Sequence, residues 1–385
     1  MIRGRYARYL PVALFALALA LALPRLQPLP APAAKSVQTA QTPTPSAATP
    51  AALADGQMER HLLKNPALSA HSASLADLGG GRVAAAWFSG SREGAADVNI
   101  VFAAFDGKAW GEPWTIMTRE RLQHDTARRV GKLGNPVLWR DAEGRLHLWF
   151  VSVGFGGWAA SAINHSQSDD GGLSWSPARR LITSPFLNIS TLVRSAPMPL
   201  ADGGVALPVY HELAAKRPEW LRFDARGHIV DKQRLPGSGG LLQPSAAAFD
   251  ENNIFVMMRD ATKKHRVHAS SSADGGANWT AAVATDLSNP NTSVALLRLA
   301  DGRLLLALNP DERGRRQLAL QLSTDRGQSW SPPRFIESGA GGEDTGYSYP
   351  SLIQDETGMI HLVYTWRRET IAHVRFAPAA LDAAP

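Results

Sequence analysis

No cysteine occurs among the 385 residues, so disulfides, thiolate metal centres and cysteine nucleophiles are excluded. Long apolar runs are nearly as scarce. The clearest, Val12 to Leu23, is shorter than the ~20 residues a spanning helix wants. Charge of one sign is lacking too. The formal net charge is +6, but Arg3, Arg5, Arg8, Arg25 and Lys35 against Asp55 supply +4 of it, leaving +2 for the rest. No basic run with interleaved aromatics appears, which argues against a nucleic-acid partner. There is no G-x-S-x-G nucleophile elbow. Gly154-Phe155-Gly156-Gly157 is followed by no helix that would present amides to a phosphate. His265 and His268, three apart on a strand, face opposite sides and make a poor metal pair. No metal and no cofactor is expected.

The amino-terminal segment has another character. Three arginines precede the apolar stretch, no acid occurs before Asp55, and Ala31-Pro32-Ala33 offers small residues for cleavage. Residues 1–33 therefore read as a secretory signal, with an uncleaved membrane anchor over residues 9–29 as the alternative. Residues 34–57 are rich in Ala, Pro, Thr, Ser and Gln, and read as a flexible tether. The expectation is an exported domain over 58–385, periplasmic or secreted. It is expected to be a monomer, with membrane attachment only through its first segment. Without disulfides it must rely on a large core, which more than three hundred residues can supply.

What the chain has in quantity is turns. Ser168 to Trp175, Ser272 to Trp279 and Ser323 to Trp330 all fit S-x-D-x-G-x-x-W, and strand-like residues precede them. A short acid can accept backbone N–H groups across a tight turn, glycine supplies a positive φ, and tryptophan folds back as an apolar plug. Every element explains local stability, so the motif reads as a mark of the fold. Degenerate relatives lie at Asp106–Trp110 and Asp224–Gly227.

A second set of turns begins at Asp77, Asp141, Asp202, Asp250, Asp301 and Asp355, at intervals of 64, 61, 48, 51 and 54 residues. An apolar strand follows each. Repeats of about 50 residues with two hairpin turns describe a four-stranded blade. The fold class is therefore all-β, a six-bladed β-propeller; a sandwich would not explain six like turns. The ends of the inner strands should converge on one mouth of the central channel. His71, Asn135, Gln243 and Tyr349 lie six or seven residues before a turn, with Arg194 further back. Ser89, Ser152, His211, Glu212, Arg259, Asp260, Asn309 and Arg367 close the following strands. These positions are mostly polar, and their convergence points to a polar binding site.

The Asp-box motifs and the six-fold repeat together resemble the sialidase (neuraminidase) superfamily over roughly residues 68 to 376, in its bacterial BNR-repeat branch. The resemblance implies three arginines on a substrate carboxylate, an acid/base acid and a tyrosine nucleophile paired with a glutamate. Arg259, in Val256-Met257-Met258-Arg259, fits the second arginine, and Arg315 fits the third, with Arg313 and Arg316 as register alternatives. Tyr349-Pro350-Ser351-Leu352 resembles the nucleophile segment. The acid/base position falls on Glu93, with Asp97 the alternative. Two positions depart from the pattern: the first arginine is His71, and the glutamate is Gln243. A glutamine cannot take a proton, so Glu212, Glu343 or Asp344 would have to replace it, Glu212 foremost.

The expected activity is retaining removal of a terminal acidic sugar from a glycan, with sialic acid or Kdo as candidates. Tyr349, Glu93, Asp97 and Glu212 are the catalytic candidates; Arg259, Arg315, His71, Arg194, Gln243, Asn135 and Asn309 are the substrate-binding ones. The alternatives are a propeller that binds carbohydrate without cleaving it, or a glycosidase for a uronic or neutral sugar.

Overall fold

A computed structural model describes residues 57–184, 188–339 and 346–382. The expected leader and nearly all of the expected tether lie outside them. The described residues form six antiparallel sheets of a β-propeller. The first blade comprises Ser69–Gly79, Arg82–Gly90, Asn99–Phe105 and Trp114–Met117. The second comprises Lys132–Arg140, Leu146–Val153, Ser161–Ser168 and Arg179–Arg180. In the third, the innermost strand is broken into Leu192–Val193 and Met198–Pro199, and both pieces pair with Val205–His211. Arg217–Phe223 and Ile229–Arg234 complete it. The fourth runs from Leu241–Ala248 to Val283–Ser288, and the fifth from Ala295–Arg298 to Arg334–Ser338. In the sixth, Tyr347–Gln354, Ile360–Trp366 and Thr370–Phe376 are joined by Met58–Leu62 from the other end of the chain. That pairing runs from Met58 against Phe376 to Leu62 against Ala372 and closes the ring.

The Asp-boxes join the third and fourth strands of a blade and fasten it to the blade before. Ser168 Oγ donates to Asp170, Gly172 N donates back to Ser168 Oγ at 2.8 Å, and Asp170 accepts from Ser174 N. Trp175 Nε1 then donates to Gly172 O at 3.0 Å. Gly172 has φ +96°, and a Cβ there would lie 2.5 Å from the Phe102 ring of the first blade. The same contact recurs for Gly276 on Trp220 and for Gly327 on Phe255. Glycine is thus required twice over, for its torsion and for the approach of the neighbouring ring. The Trp279 and Trp220 centroids lie 5.1 Å apart. Burying 150–250 Å² of an indole at about 25 cal/mol/Å² is worth roughly 4–6 kcal/mol before entropy is counted.

On or just ahead of each inner strand stands one non-glycine residue at positive φ: Ser72, Asn135, Ser190, Gln243, Asn291 and Tyr349, between 46° and 64°. In four blades this coincides with a slip of register, as between Ser348 and Ser351. A bulge re-aims a side chain that would otherwise follow the pleat. Left-handed torsion costs an ordinary residue roughly 1–2 kcal/mol, so six such positions at one level mark a built feature. Further along the same strands the channel is apolar, lined by Leu75, Leu138, Pro197, Ala247, Leu296 and Ile353.

Candidate active site

Five of the six left-handed residues meet in one polar network. Ser72 Oγ donates to Asn135 Oδ1 at 3.3 Å, and Asn135 Nδ2 donates to the Tyr210 hydroxyl at 3.0 Å. Gln243 Nε2 lies 3.4 Å from the same hydroxyl, while its Oε1 accepts from Arg259 Nη1 at 3.1 Å. Arg259 Nε donates to Asn291 Oδ1 at 2.7 Å, and its Nη1 lies 3.4 Å from the Tyr349 hydroxyl. Left-handed residues of the second, fourth, fifth and sixth blades therefore hold Arg259 and Tyr349 from several sides.

Tyr349 is the centre of a cationic cage. Arg194, from the third blade, reaches across the axis and donates to the Tyr349 and Pro350 carbonyls at 2.6 and 3.0 Å. Its guanidinium carbon lies 5.5 Å from the Tyr349 ring centroid, and that of Arg315 lies 5.7 Å away. Burial lowers the Arg194 pKa to about 10, against the stabilising pull of Tyr349 and Tyr210. Burial works to raise the Tyr349 pKa, but the Arg259 and Arg315 charges outweigh it and hold the phenol below its usual value. Tyr210 is different: desolvation, aided by Glu212, pushes it well up, so it remains a neutral hydrogen-bonding post.

His71 packs edge-on against Tyr349, with centroids 4.5 Å apart. It is buried, and desolvation together with Arg368, Arg315, Arg194 and Arg259 keeps its pKa well below the ordinary histidine value. His71 Nε2 lies 3.5 Å from Glu93 Oε2, outside good hydrogen-bond geometry, and neither ring nitrogen has a partner. Two buried polar atoms are thus left unsatisfied, one of them facing Glu93 at the mouth. Glu93, partly exposed, also lies 3.9 Å from Arg368 Nη2. Arg368 sits in the tight hairpin after Trp366, with φ +60°. It brings a fourth guanidinium to the mouth, close to the position where His71 stands.

Not every expected residue joins this cluster. Asp97 is exposed, and its carboxylate accepts from Ser91 N and Ser91 Oγ, both at 2.9 Å. Asn309 is fully buried and donates to the Gln317 and Tyr347 carbonyls, tying the fifth blade to the sixth. Arg313 and Arg316 line a separate outer cleft with Asp311 and Glu312, which leaves Arg315 at the tyrosine. Glu212 is half-buried; burial raises its pKa against Lys216 and Arg259, and its charge acts on Tyr210. Glu343 and Asp344 lie outside the described residues.

A family model for the BNR repeat-like domain matches residues 81–362. The chain belongs to that family. No match to the sequence was found among curated proteins. Among solved structures, a Hadza microbial sialidase aligns with a TM-score of 0.69 at 16% identity, covering 82% of this chain and 66% of its own. The chain thus spans just under two thirds of that protein. The NanB sialidase of Streptococcus pneumoniae gives 0.66 at 13% identity, covering 83% and 70%. The intramolecular trans-sialidase of Ruminococcus gnavus gives 0.66 at 15%, covering 87% of this chain and all 100% of its own. The fold of this BNR-repeat chain is the sialidase propeller.

Within that fold, four residues at the mouth escape a reading of spacing alone: Ser72, Tyr210, Asn291 and Arg368. One partial signal existed. Asn135-Pro136, Gln243-Pro244 and Tyr349-Pro350 recur in every second blade, and each pair begins with a left-handed residue.

Proposed function

We propose that this BNR-repeat protein is a retaining exo-glycosidase of sialidase type, acting on a terminal 2-keto acid sugar. The observation that carries the reading is the cage of Arg259, Arg315 and Arg368 around the mouth, with Arg194 beneath the Tyr349 ring. Guanidinium forks suit a sugar carboxylate. The same guanidinium charges offset the repulsion between an ionised phenol and the substrate carboxylate.

In this cycle Tyr349, having lost its proton to solvent, attacks the anomeric carbon while Glu93 protonates the departing glycosidic oxygen. Water then attacks the tyrosyl glycoside; Glu93 takes its proton, and Tyr349 leaves as phenolate. Gln243 fits this scheme without acting as a base. A glutamate there would add a negative charge beside Arg259; the neutral amide leaves the guanidinium field to act on the phenol.

Gln243 also supports a second reading, a propeller that binds acidic sugar and does not cleave it. Hydrolysis of the 4-methylumbelliferyl glycosides of sialic acid and Kdo by the full chain separates the two. Turnover abolished by Tyr349→Phe is the expected result. Binding of the free sugars without turnover of either glycoside would favour the second reading.

A further inference from the structure

The opposite face of the propeller holds a cleft that the mouth chemistry does not use. Two blades carry the same polar chain there. In the sixth, Asp355 Oδ2 meets His361 Nε2 at 3.1 Å, and His361 Nδ1 meets His373 Nε2 at 2.9 Å. In the second, Asp141 Oδ2 meets His147 Nε2 at 2.9 Å, and His147 Nδ1 meets His165 Nε2 at 3.0 Å. The first chain is sealed. Trp110, from the box-like turn of the first blade, donates its Nε1 to His373 Nδ1 at 3.0 Å.

The second chain is open, for a reason written in the third blade. By the pattern of the other blades, the turn of the third should cover the second. That turn, Asp224–Gly227, has no tryptophan, and Ile229 stands opposite Phe223 where Trp110 stands opposite Phe105. A cleft of about 830 Å³ remains between the two blades, far more than one indole would fill. Trp139 and His147, partly exposed, and Trp149, His165 and Phe223, nearly buried, form its aromatic wall. The His147 and Trp149 rings stack at 5.3 Å. No donor among the described residues reaches His165 Nδ1, the counterpart of the nitrogen that Trp110 satisfies. The rim bears Arg145, Arg179 and Arg226 against Asp141, Glu143 and Asp224, so its formal charge cancels.

We propose that this cleft between the second and third blades is a second ligand site, and that it takes a neutral saccharide. Polarised C–H groups of a pyranose lie against aromatic faces. A sugar hydroxyl can donate to His165 Nδ1 in place of the missing indole N–H, and the mixed rim offers both donors and acceptors to a polyol. A balanced rim gives no advantage to an anion, in contrast to the arginine-rich mouth. Burial keeps His165 neutral, with a pKa lowered to about 3, so its ring stays an acceptor at ordinary pH.

The test is saturation-transfer NMR of the full chain with N-acetylglucosamine, lactose and maltotriose. At least one should bind saturably, with a dissociation constant of about 1 mM. Ala225 is exposed on the turn and lines the cleft, so Ala225→Trp should supply the missing plug and weaken binding about tenfold or more, with Tm unchanged or raised. Arg226→Ala should weaken it less, and Tyr349→Phe not at all, which separates this site from the mouth. Three outcomes overturn the proposal: no saturable signal with any of the three sugars, a signal that survives Ala225→Trp, or binding of N-acetyltryptophanamide alone. The last would mark the cleft as a socket for a partner's indole.

Discussion

At the mouth ends of the inner strands, six non-glycine residues hold positive φ, and three guanidinium groups crowd one tyrosine with a fourth beside Glu93. At the turn face the same torsion belongs mostly to the box glycines, Arg326 of the third box excepted, and the box carboxylates are satisfied by their own turns. One face uses positive φ to let neighbouring blades touch. The other accepts its cost to aim polar side chains at an axis. Where glycine would serve and a larger residue stands instead, the side chain is the reason.

Substitutions that act on one face and spare the other sharpen this contrast. Tyr349→Phe should reduce turnover by about 10³-fold or more while Tm stays put, because only the hydroxyl is lost. Hydrolysis assays beside thermal melts check it; full turnover would remove Tyr349 from the chemistry. Trp279→Ala should do the reverse, destabilising by roughly 3–5 kcal/mol in urea unfolding. Loss of activity at unchanged stability would mean that the turn face serves the mouth directly. Arg259→Lys should weaken binding of acidic sugars by more than about 1 kcal/mol and leave neutral ones alone, since lysine loses the fork geometry. Calorimetry with both sugar classes would break the carboxylate-clamp idea if the losses were equal.

The turn face also differs in its response to pH. His165 has its folded pKa lowered to about 3 from 6.5. Below pH 6.5 the unfolded chain takes up a proton that the folded imidazole refuses until about pH 3. Its contribution is therefore present above 6.5 and lost as pH falls through that window. His165→Gln should flatten the acid decline of stability by about one proton. An unchanged slope would show that His165 is not held neutral.

The fold was legible because its turns are local. An acid, a glycine and a tryptophan at fixed spacing encode a hairpin without reference to the rest of the chain. Six repeats then leave few ways to arrange the blades. The mouth was legible only in part, since it is assembled from residues far apart in sequence. Spacing brought out Tyr349, Arg259, Gln243 and Asn135, which lie on strand ends. It pointed to Arg367 where Arg368 is the residue beside Glu93, because one step along a hairpin reverses the side a residue faces. Asn309 met every criterion of position, yet its amide is committed to two main-chain carbonyls. Nothing in a sequence states which way an amide points. Arg194 is similar: its place on the axis was visible, its grip on the opposite blade was not.

The strand Met58–Leu62 does more than close the ring. It enters the sixth blade beside Phe376, at the turn face, and the short helix Pro378–Leu381 follows Phe376 on that same side. Both ends of the domain thus point away from the mouth. A chain joined ahead of Gln57 therefore starts from the face opposite the arginine-lined opening, whatever its length.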